Sequence, residues 1–376
     1  MSRRIALALV VGGTMLGIVS ATQSGVPAAA GRPHWRTELV SKLNFSSVQA
    51  ASDGEAWMLG SRQSDGRQTI EWWNGRRLQE LRNPPAGLNS FRLAGLSGSD
   101  LWAAWCLDRT TAGPSSGKIV LAHWDGRRWS RIPGPTHAGG KCEQIAVAGP
   151  GSVWVAESVA AGHGARAHVL LLLWDGRTWQ QFTIVPPWAN DPSDPELDVK
   201  VGSLDFSGPR QGWAVGAFES STWDAFSERW DGTSWHSAPI GSTTSDSSEM
   251  DEVAAVSPRD GWAVGDEEHG AGFVERWNGR VWRQPGRSGS LGQFPGAIDA
   301  SPKGDVWAVK GADWQIAGDK TEVERWTGSR WAAVSPPPLT VSGLRSDPID
   351  DLAAVSDHEA WLVIARSTGS AIARYG

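Results

Sequence analysis

Residues 257–265, SPRDGWAVG, hold the stretch of sequence that decides the fold. Four polar or turn-forming residues and a glycine precede a tryptophan, and apolar and small residues follow it. In a β-strand successive side chains point to opposite faces, so Trp262 and Val264 share one face while Ala263 and Gly265 share the other. The segment therefore predicts a turn that leads directly into a β-strand.

This phrase recurs seven times along the chain, as SDGEAWMLG, SGSDLWAAW, GPGSVWVAE, PRQGWAVG, SPRDGWAVG, PKGDVWAVK and SDHEAWLVI. Its tryptophans are Trp57, Trp102, Trp154, Trp213, Trp262, Trp307 and Trp361. Their mean spacing is about 51 residues, which is typical of propeller-type repeats. The composition is unusual, with 24 Trp, 45 Gly and one Tyr in 376 residues, and these seven are part of the tryptophan excess.

A second phrase lies between the copies of the first, as WNGRRL, WDGRRW, WDGRTW, WDGTSW, WNGRVW and WTGSRW. Its Asp-Gly and Asn-Gly pairs tolerate positive φ and favour a tight hairpin. In the fifth repeat the two phrases predict four strands, near Glu252–Val256, Gly261–Asp266, Gly272–Trp277 and Val281–Gln284. A sheet of four strands cannot bury both faces alone, but it can when such sheets stack around a ring. We therefore expect the phrase tryptophans to pack between blades.

The two ends of the chain supply the last blade. There are seven copies of the first phrase and six of the second, and Tyr375-Gly376 stands where Trp-Asp-Gly would begin a seventh. Residues 34–40, HWRTELV, offer the missing Trp-containing strand. The sequence thus predicts an all-β, seven-bladed β-propeller of four-stranded antiparallel blades, closed by an N-terminal strand that completes the last blade and removes two free edges.

The repeats resemble those of secreted bacterial Trp-rich seven-bladed β-propellers, related in shape to kelch, Asp-box and tachylectin-like propellers. The resemblance extends from Trp35 to the end of the chain. It departs from the kelch pattern by lacking a Gly-Gly pair in the second strand. It departs from the Asp-box pattern because ERWDGTSW has one residue fewer between Asp and Trp. The resemblance implies an architecture and no particular activity, because propellers host many functions.

The N-terminal residues have the pattern of an export signal. Arg3 and Arg4 precede an apolar run, Ile5–Val19, and small residues follow at Val19-Ser20-Ala21. We expect residues 1–21 to be a signal peptide, 22–33 a linker and 34–376 the propeller, and we expect the protein to be secreted. The alternative is an uncleaved membrane anchor, but the run is shorter than the roughly 20 residues of a spanning helix.

Composition and motifs exclude several classes of activity. The net charge of -6 argues against nucleic acid as a partner, because phosphate backbones are held mainly by Lys and Arg. The single tyrosine, Tyr375, argues against sialidase-like and copper-radical oxidase sites, which need tyrosine in the site. The eight histidines show no metal-ligand spacing, and no phosphate-binding loop or nucleophile elbow occurs. We expect no catalytic residues, no metal and no cofactor.

Three tryptophans outside both phrases point to a binding face. Trp188, Trp223 and Trp314 are predicted to lie in loops that share one face of the propeller. Acceptors for a polyhydroxylated ligand lie near them in sequence: Asp191, Asp194, Glu196, Glu219 and Asp224. We therefore expect a monomeric, non-enzymatic protein that binds a carbohydrate or cell-envelope glycan.

Three alternatives remain open. The loop tryptophans could fold back to shield the core. The protein could be a glycan-cleaving hydrolase or lyase that uses loop carboxylates, or a scaffold for an extracellular protein ligand.

The two cysteines, Cys106 and Cys142, are predicted to form a disulfide in the exported protein. Cys106 ends the second strand of blade two and Cys142 begins the inner strand of blade three, on the same rim of adjacent blades. The alternative is two separate buried thiols. The bridge is expected to stabilise the protein by about 3 to 4 kcal/mol. Titration of free thiols in the unfolded, unreduced protein should find none; two reactive thiols per chain would exclude the bridge.

Overall fold

The structure is a computed structural model. It describes residues 33–50, 54–81, 92–106, 119–135, 140–160, 167–185, 198–219, 222–241, 247–267, 271–285, 295–311, 321–334, 349–366 and 368–376. Residues Pro33–Gly376 form one compact unit, and the described residues contain β-strands and no α-helix. Among them there is accordingly no helix long and apolar enough to cross a membrane.

The strands form seven four-stranded antiparallel sheets, as predicted. Blade one contains β2 (Leu43–Ala50), β3 (Ala56–Arg62), β4 (Gln68–Trp73) and β5 (Leu78–Leu81). Blade two contains β6 (Arg92–Ser97), β7 (Asp100–Cys106), β8 (Ile119–Trp124) and β9 (Trp129–Pro133). Blade three contains β10 (Lys141–Gly149), β11 (Ser152–Val159), β12 (His168–Trp174) and β13 (Trp179–Ile184).

The later blades repeat this order. Blade four contains β14 (Asp198–Gly208), β15 (Gln211–Glu219), β16 (Trp223–Trp230) and β17 (Trp235–Ser237). Blade five contains β18 (Ser248–Ser257), β19 (Asp260–Glu267), β20 (Ala271–Trp277) and β21 (Trp282–Arg283). Blade six contains β22 (Pro295–Ala300), β23 (Val306–Lys310), β24 (Glu322–Trp326) and β25 (Trp331–Val334). The fifth repeat thus has the four predicted strands, with a longer inner strand and a shorter outer one.

Blade seven is closed by the N-terminal strand, which confirms the prediction. It contains β26 (Ile349–Ser356), β27 (Glu359–Arg366), β28 (Gly369–Tyr375) and β1 (Trp35–Ser41), in the spatial order β1-β28-β27-β26. The register pairs Trp35 with Tyr375 and Val40 with Ala371. The outermost strand of the last sheet therefore comes from the opposite end of the chain, which holds the ring together.

The tryptophans of the first phrase lie between blades and are almost fully buried, between 0% and 3% exposed. Six of the seven share an apolar cluster with the aromatic pair of the next blade, and Trp361 shares one with Trp73 and Leu78 of blade one. Trp213 of blade four makes edge contacts with Trp277 and Trp282 of blade five, at ring-centroid distances of 4.9 and 4.7 Å. Trp262 of blade five is likewise 4.7 Å from Trp326 and 5.0 Å from Trp331 of blade six.

The last blade follows the same rule with different residues. Trp307 of blade six packs against Tyr375 at 5.3 Å and Trp35 at 6.3 Å. Tyr375 and Trp35 therefore take the places that two tryptophans of the second phrase occupy in other blades. The sequence placed Tyr375 at that position, and the packing gives it the corresponding role.

Polar groups cover several of the phrase tryptophans where the second strand begins. Arg276 donates two hydrogen bonds to Asp260, at 2.7 and 2.8 Å, and its guanidinium lies over the rings of Trp262 and Trp326. In blade two a histidine takes the place of the arginine: His123 stacks on Trp102 and contacts Asp100 at 2.8 Å. The guanidinium of Arg276 on the face of an indole, held by a carboxylate, is favourable at such a partly buried position.

The second phrase forms hairpins with four-residue loops. In blade two Trp124 pairs with Trp129, and Asp125 Oδ1 accepts hydrogen bonds from the backbone N–H groups of Arg127 and Arg128. Gly126 follows with φ of 86°, a conformation that favours glycine. These backbone N–H groups hold the pKa of Asp125 below its usual value.

The two cysteines lie on adjacent blades as expected. Cys106 is the last residue of β7, and Cys142 is the second residue of β10. Both ends belong to the same rim, because β7 runs towards that rim and β10 runs away from it. The disulfide itself stays a prediction.

Replacement of Trp35 by Ala tests how much the closure contributes. Trp35 is 7% exposed and fills the layer between blades six and seven, so its loss should lower the free energy of unfolding by about 3 to 5 kcal/mol. Arg36→Ala, an exposed neighbour in the same strand, is the matched control and should change it little. Urea unfolding measures both; equal stability of the wild type and Trp35→Ala would contradict the closing role of β1.

Candidate functional site

The ring has two faces, which the strand order defines. We call loop face the side where the second strand of a blade leads to the third and where one blade connects to the next. We call hairpin face the opposite side, which carries the turn between the first two strands and the loop of the second phrase. The first strands of neighbouring blades pack against one another around the central channel.

Five of the predicted site residues lie outside the described residues: Trp188, Trp314, Asp191, Asp194 and Glu196. The other three, Trp223, Glu219 and Asp224, belong to one hairpin of blade four on the loop face. Glu219 is the last residue of β15 and pairs with Trp223, and Asp224 pairs with Phe218. The structure therefore places Glu219 and Trp223 on one face of the hairpin and Asp224 on the other, because successive side chains of a strand alternate.

The sequence predicted that Trp223 lies in a loop, but its backbone belongs to a strand. It is the first residue of β16, because the hairpin is short and the ladder continues to the Glu219–Trp223 pair. Its side chain is half-buried, and its backbone N–H donates to Ser247 Oγ at 3.2 Å. Ser247 precedes β18, so Trp223 lies at the junction of blades four and five.

A charged cluster at the same junction was missed by sequence reasoning. Lys200 of β14 donates to Glu249 Oε2 at 2.7 Å and to Asp251 Oδ1 at 2.8 Å, both in β18. Partial burial opposes the charge of Lys200, but these two hydrogen bonds raise its pKa above the usual value. The signal lay in the alternating charges of DVKV and SEMDEV, but the two segments are about 50 residues apart in sequence.

Asp266 at the end of β19 adds a fourth charged group. Partial burial and then the negative charges of Asp251 and Glu249 raise the pKa of its carboxyl. The junction of blades four and five thus presents one half-buried indole, several carboxylates and one ion-paired lysine on the loop face. Such a surface can stack on an apolar ring face and accept hydrogen bonds from hydroxyl or amino groups.

Deeper in the channel, four carboxylates connect the first strands of successive blades. Asp205 Oδ2 accepts from Ala255 N–H of blade five at 2.6 Å, and Glu252 Oε2 accepts from Ile298 N–H of blade six at 2.8 Å. Asp299 Oδ2 accepts from Ala354 N–H of blade seven at 2.8 Å, and Asp351 Oδ2 accepts from Val48 N–H of blade one at 2.7 Å.

Each of the three aspartates makes a second hydrogen bond, and a glutamine adds a connection from blade three. The other oxygen of each aspartate accepts the N–H of the following residue in its own strand. Gln144 of blade three donates to the carbonyl of Gly202 in blade four. Each of the consecutive junctions from blade three round to blade one is therefore bridged by a side chain of an inner strand.

Burial is the main cause that shifts the pKa of these carboxyls upward. It raises the pKa of Asp205 to about 6, and that of Asp351 to about 7. Burial together with the negative charge of Asp351 raises the pKa of Glu252 to about 8, and burial together with Asp205 raises the pKa of Asp299 to about 8. Their hydrogen bonds to backbone N–H groups oppose these shifts.

Within the described ranges no group of three or more His, Cys, Asp or Glu side chains is arranged to hold a metal ion. The three channel aspartates instead accept hydrogen bonds from backbone N–H groups of two blades, and Glu252 accepts one from blade six. Their contacts are those of structural connections between blades.

The chain matches no protein-family model and no curated protein sequence. Among solved structures it is similar to YCF48 bound to a D1 peptide, with 15% identity and a TM-score of 0.53 over 93% of this chain and 96% of that one. It is similar to a xyloglucanase from Xanthomonas campestris, with 14% identity and a TM-score of 0.54 over 90% of this chain and 53% of that one.

A third similar structure is the extracellular domain of a putative hybrid two-component system from B. thetaiotaomicron, with 10% identity and a TM-score of 0.52. It is covered over 39% of its length, against 90% of this chain. At such identities the likeness concerns the fold, which is a β-propeller in which ligand chemistry is set by the loops.

The channel carboxylates predict how stability depends on pH. In the unfolded chain these carboxyls have pKa values of about 4, and in the folded chain their pKa values are higher. The folded state therefore binds more protons at these carboxyls. Their contribution is complete below pH 4 and is lost as the pH rises through about 6 to 8. The melting temperature should therefore be higher at pH 5 than at pH 8, by more than about 3 °C.

The variant Asp205→Asn/Asp299→Asn separates this effect from other titrations. It should be less stable at pH 5, because the amide oxygen can accept only one of the two backbone N–H groups and the amide NH2 group cannot accept the other. Its melting temperature should change less between pH 5 and pH 8, because an amide does not titrate there. Asp175 titrates in another range, because its hydrogen bonds from the backbone of Thr178 and Arg177 lower its pKa to about 2. A wild type whose stability rises from pH 5 to pH 8 would contradict the prediction.

Proposed function

We propose that the protein is a secreted, non-enzymatic binding protein that recognises a carbohydrate or cell-envelope glycan through its loop face. The observation that carries the proposal is the position of Trp223. Its half-buried indole stands at the junction of blades four and five, in one hairpin with Glu219 and Asp224.

The chemistry of this junction suits a sugar. An indole offers an apolar face to the C–H groups of a pyranose ring, and carboxylates accept hydrogen bonds from its hydroxyl groups. The backbone of Trp223 is bonded to Ser247, which precedes Glu249 by two residues, so the Lys200–Glu249–Asp251 cluster lies near the indole. The cluster adds a cation held between two acceptors. In this proposal Trp188, Asp191, Asp194 and Glu196 extend the same site from the connection between blades three and four, and Trp314 marks a second subsite on blade six.

Export supports the choice of ligand class. The Arg3-Arg4 pair and the apolar run Ile5–Val19 indicate a signal peptide, and a secreted propeller meets glycans of cell surfaces and envelopes. A Cys106–Cys142 bridge would belong to the same oxidising compartment.

A scaffold for an extracellular protein ligand is the second candidate. YCF48, which has a similar fold, is described bound to a peptide. The junction of blades four and five would suit a basic peptide better than an acidic one, because it has several carboxylates and a single lysine, Lys200.

A glycan-cleaving activity is the third candidate, and the similar fold of a xyloglucanase supports it. Such an enzyme needs one carboxyl group that holds a proton and a second that is ionised. Asp266, whose pKa is raised by burial and by Asp251 and Glu249, is the residue of this junction that we propose for the first role. Turnover of chromogenic glycosides that disappears in Asp266→Asn would favour this candidate over simple binding.

Trp223→Ala tests the binding site directly. A glycan array that includes plant, fungal and bacterial wall glycans first identifies a ligand for the wild type. Loss of the indole should then weaken binding of that glycan at least tenfold while the melting temperature falls little, because Trp223 is half-buried and stands at the end of its strand. Titration calorimetry and thermal melting measure the two effects.

The matched control is Trp72→Ala, since Trp72 is also half-buried but lies in β4 near the hairpin face. It should lose stability, because its indole donates to Glu55 and packs in the core, and keep glycan affinity. A large drop in melting temperature for Trp223→Ala, or no glycan bound by the wild type, would favour the alternative in which Trp223 only shields the core.

A further inference from the structure

The loops of the second phrase place a row of arginines on the hairpin face. Arg76 and Arg77 lie in the loop of blade one, Arg127 and Arg128 in that of blade two, and Arg177 in that of blade three. All five are exposed. We call these five residues on three successive blades the arginine arc.

The loop backbone has the same geometry in each of these blades. Asn74 Oδ1 accepts from the N–H groups of Arg76 and Arg77, just as Asp125 does from Arg127 and Arg128. Asp175 accepts from Arg177 and Thr178. Because each loop is fixed at its backbone, its arginines leave the blade at equivalent positions, and their side chains are exposed.

Acidic groups near the arc are already engaged by other partners. Asp125 and Asp175 hold their loops, and the nearest approach of Arg128 to Asp125 is 3.8 Å with 81% of the arginine side chain exposed. Asp100 accepts from the indole of Trp102 and contacts His123, and Glu55 accepts from Trp72. The arc therefore presents positive charge that its acidic neighbours offset only in part.

The same sign continues around the hairpin face. The turns between the first two strands of blades four, five and six expose Arg210, Arg259 and Lys303. The hairpin loops of blades five and six expose Arg280 and Arg330. The loop face carries the carboxylates of the blade four to five junction. The hairpin face thus exposes ten basic side chains on six blades although the overall charge of the protein is negative, and an anion would be attracted to it.

We propose that the arginine arc binds an anionic polysaccharide, whose carboxylate or sulfate groups recur along the chain as the arginines recur along the ring. Guanidinium groups bind carboxylate and sulfate through two parallel hydrogen bonds, and repeated weak contacts along a polymer add up. This inference concerns the face opposite the proposed glycan site and does not depend on it.

Side chains of the arc disfavour two other anionic partners. Loops 74–77, 125–128 and 175–178 carry no apolar side chain that could insert into a membrane. Trp73 beside the first loop is buried, and the half-buried tryptophans that flank the other two loops lie against one another, with ring centroids 5.7 Å apart for Trp124 and Trp129 and 5.6 Å apart for Trp174 and Trp179. They do not offer the open stacking platform that single-stranded nucleic acids use.

The test uses heparin and polygalacturonate as probes with the mature protein. The wild type should bind at 50 mM NaCl and be released by added salt, because the contacts are ionic. The variant that changes Arg76, Arg77, Arg127, Arg128 and Arg177 to Gln should lose at least tenfold in affinity for both polymers. Its circular dichroism and melting temperature should match the wild type, because all five side chains are exposed.

A control variant removes the same charge elsewhere, by changing Arg36, Lys42, Arg92, Arg131 and Arg283 to Gln; all are exposed and lie outside the hairpin loops. It should keep most of the affinity. Equal losses in the two variants would mean that net charge alone governs binding, and no loss in the arc variant would exclude the arc as the site. Absence of wild-type binding to both polymers, or tighter binding to a DNA oligonucleotide or to phosphatidylglycerol vesicles, would also overturn the proposal.

Discussion

The packing of the first-phrase tryptophans against the second-phrase side chains of the next blade is the interaction on which the structure depends. A four-stranded blade has two apolar faces and can bury them only against neighbours. Trp213 and Trp262, both 0% exposed, fill these layers in two successive junctions. Because every blade gives one indole and receives another, the layers are complete only when the ring is closed, and Trp35 and Tyr375 provide that closure.

Around this apolar frame, polar contacts differ from junction to junction. Asp205, Glu252, Asp299 and Asp351 connect blades four to seven and blade one through backbone N–H groups. These carboxylates sit where burial opposes their charge, so the same residues that join the blades make the fold sensitive to pH. The constancy of the aromatic layers leaves the channel and the faces free to vary, which is how one propeller architecture hosts many ligands.

The distribution of charge gives the two faces different chemistry. Carboxylates gather beside Trp223 on the loop face, while the hairpin loops expose arginines. Both features arise from the strand order, since inner strands begin at the loop face and the Asp-Gly or Asn-Gly loops all lie at the hairpin face. Ligands of opposite character could thus be held on opposite sides of one ring.

The sequence by itself determined the repeat, the number of blades and the strand that closes them, because turn residues and alternating side chains act within a few positions of each other. It also placed Glu219, Trp223 and Asp224 at one rim. It did not reveal that Trp223 begins a strand, that Lys200 pairs with Glu249 and Asp251, or that Asp351 reaches Val48 across the ring. Those contacts join residues about 50 to 300 positions apart, and only the tertiary structure decided them, because the packing of whole blades sets which side chains of neighbouring inner strands meet.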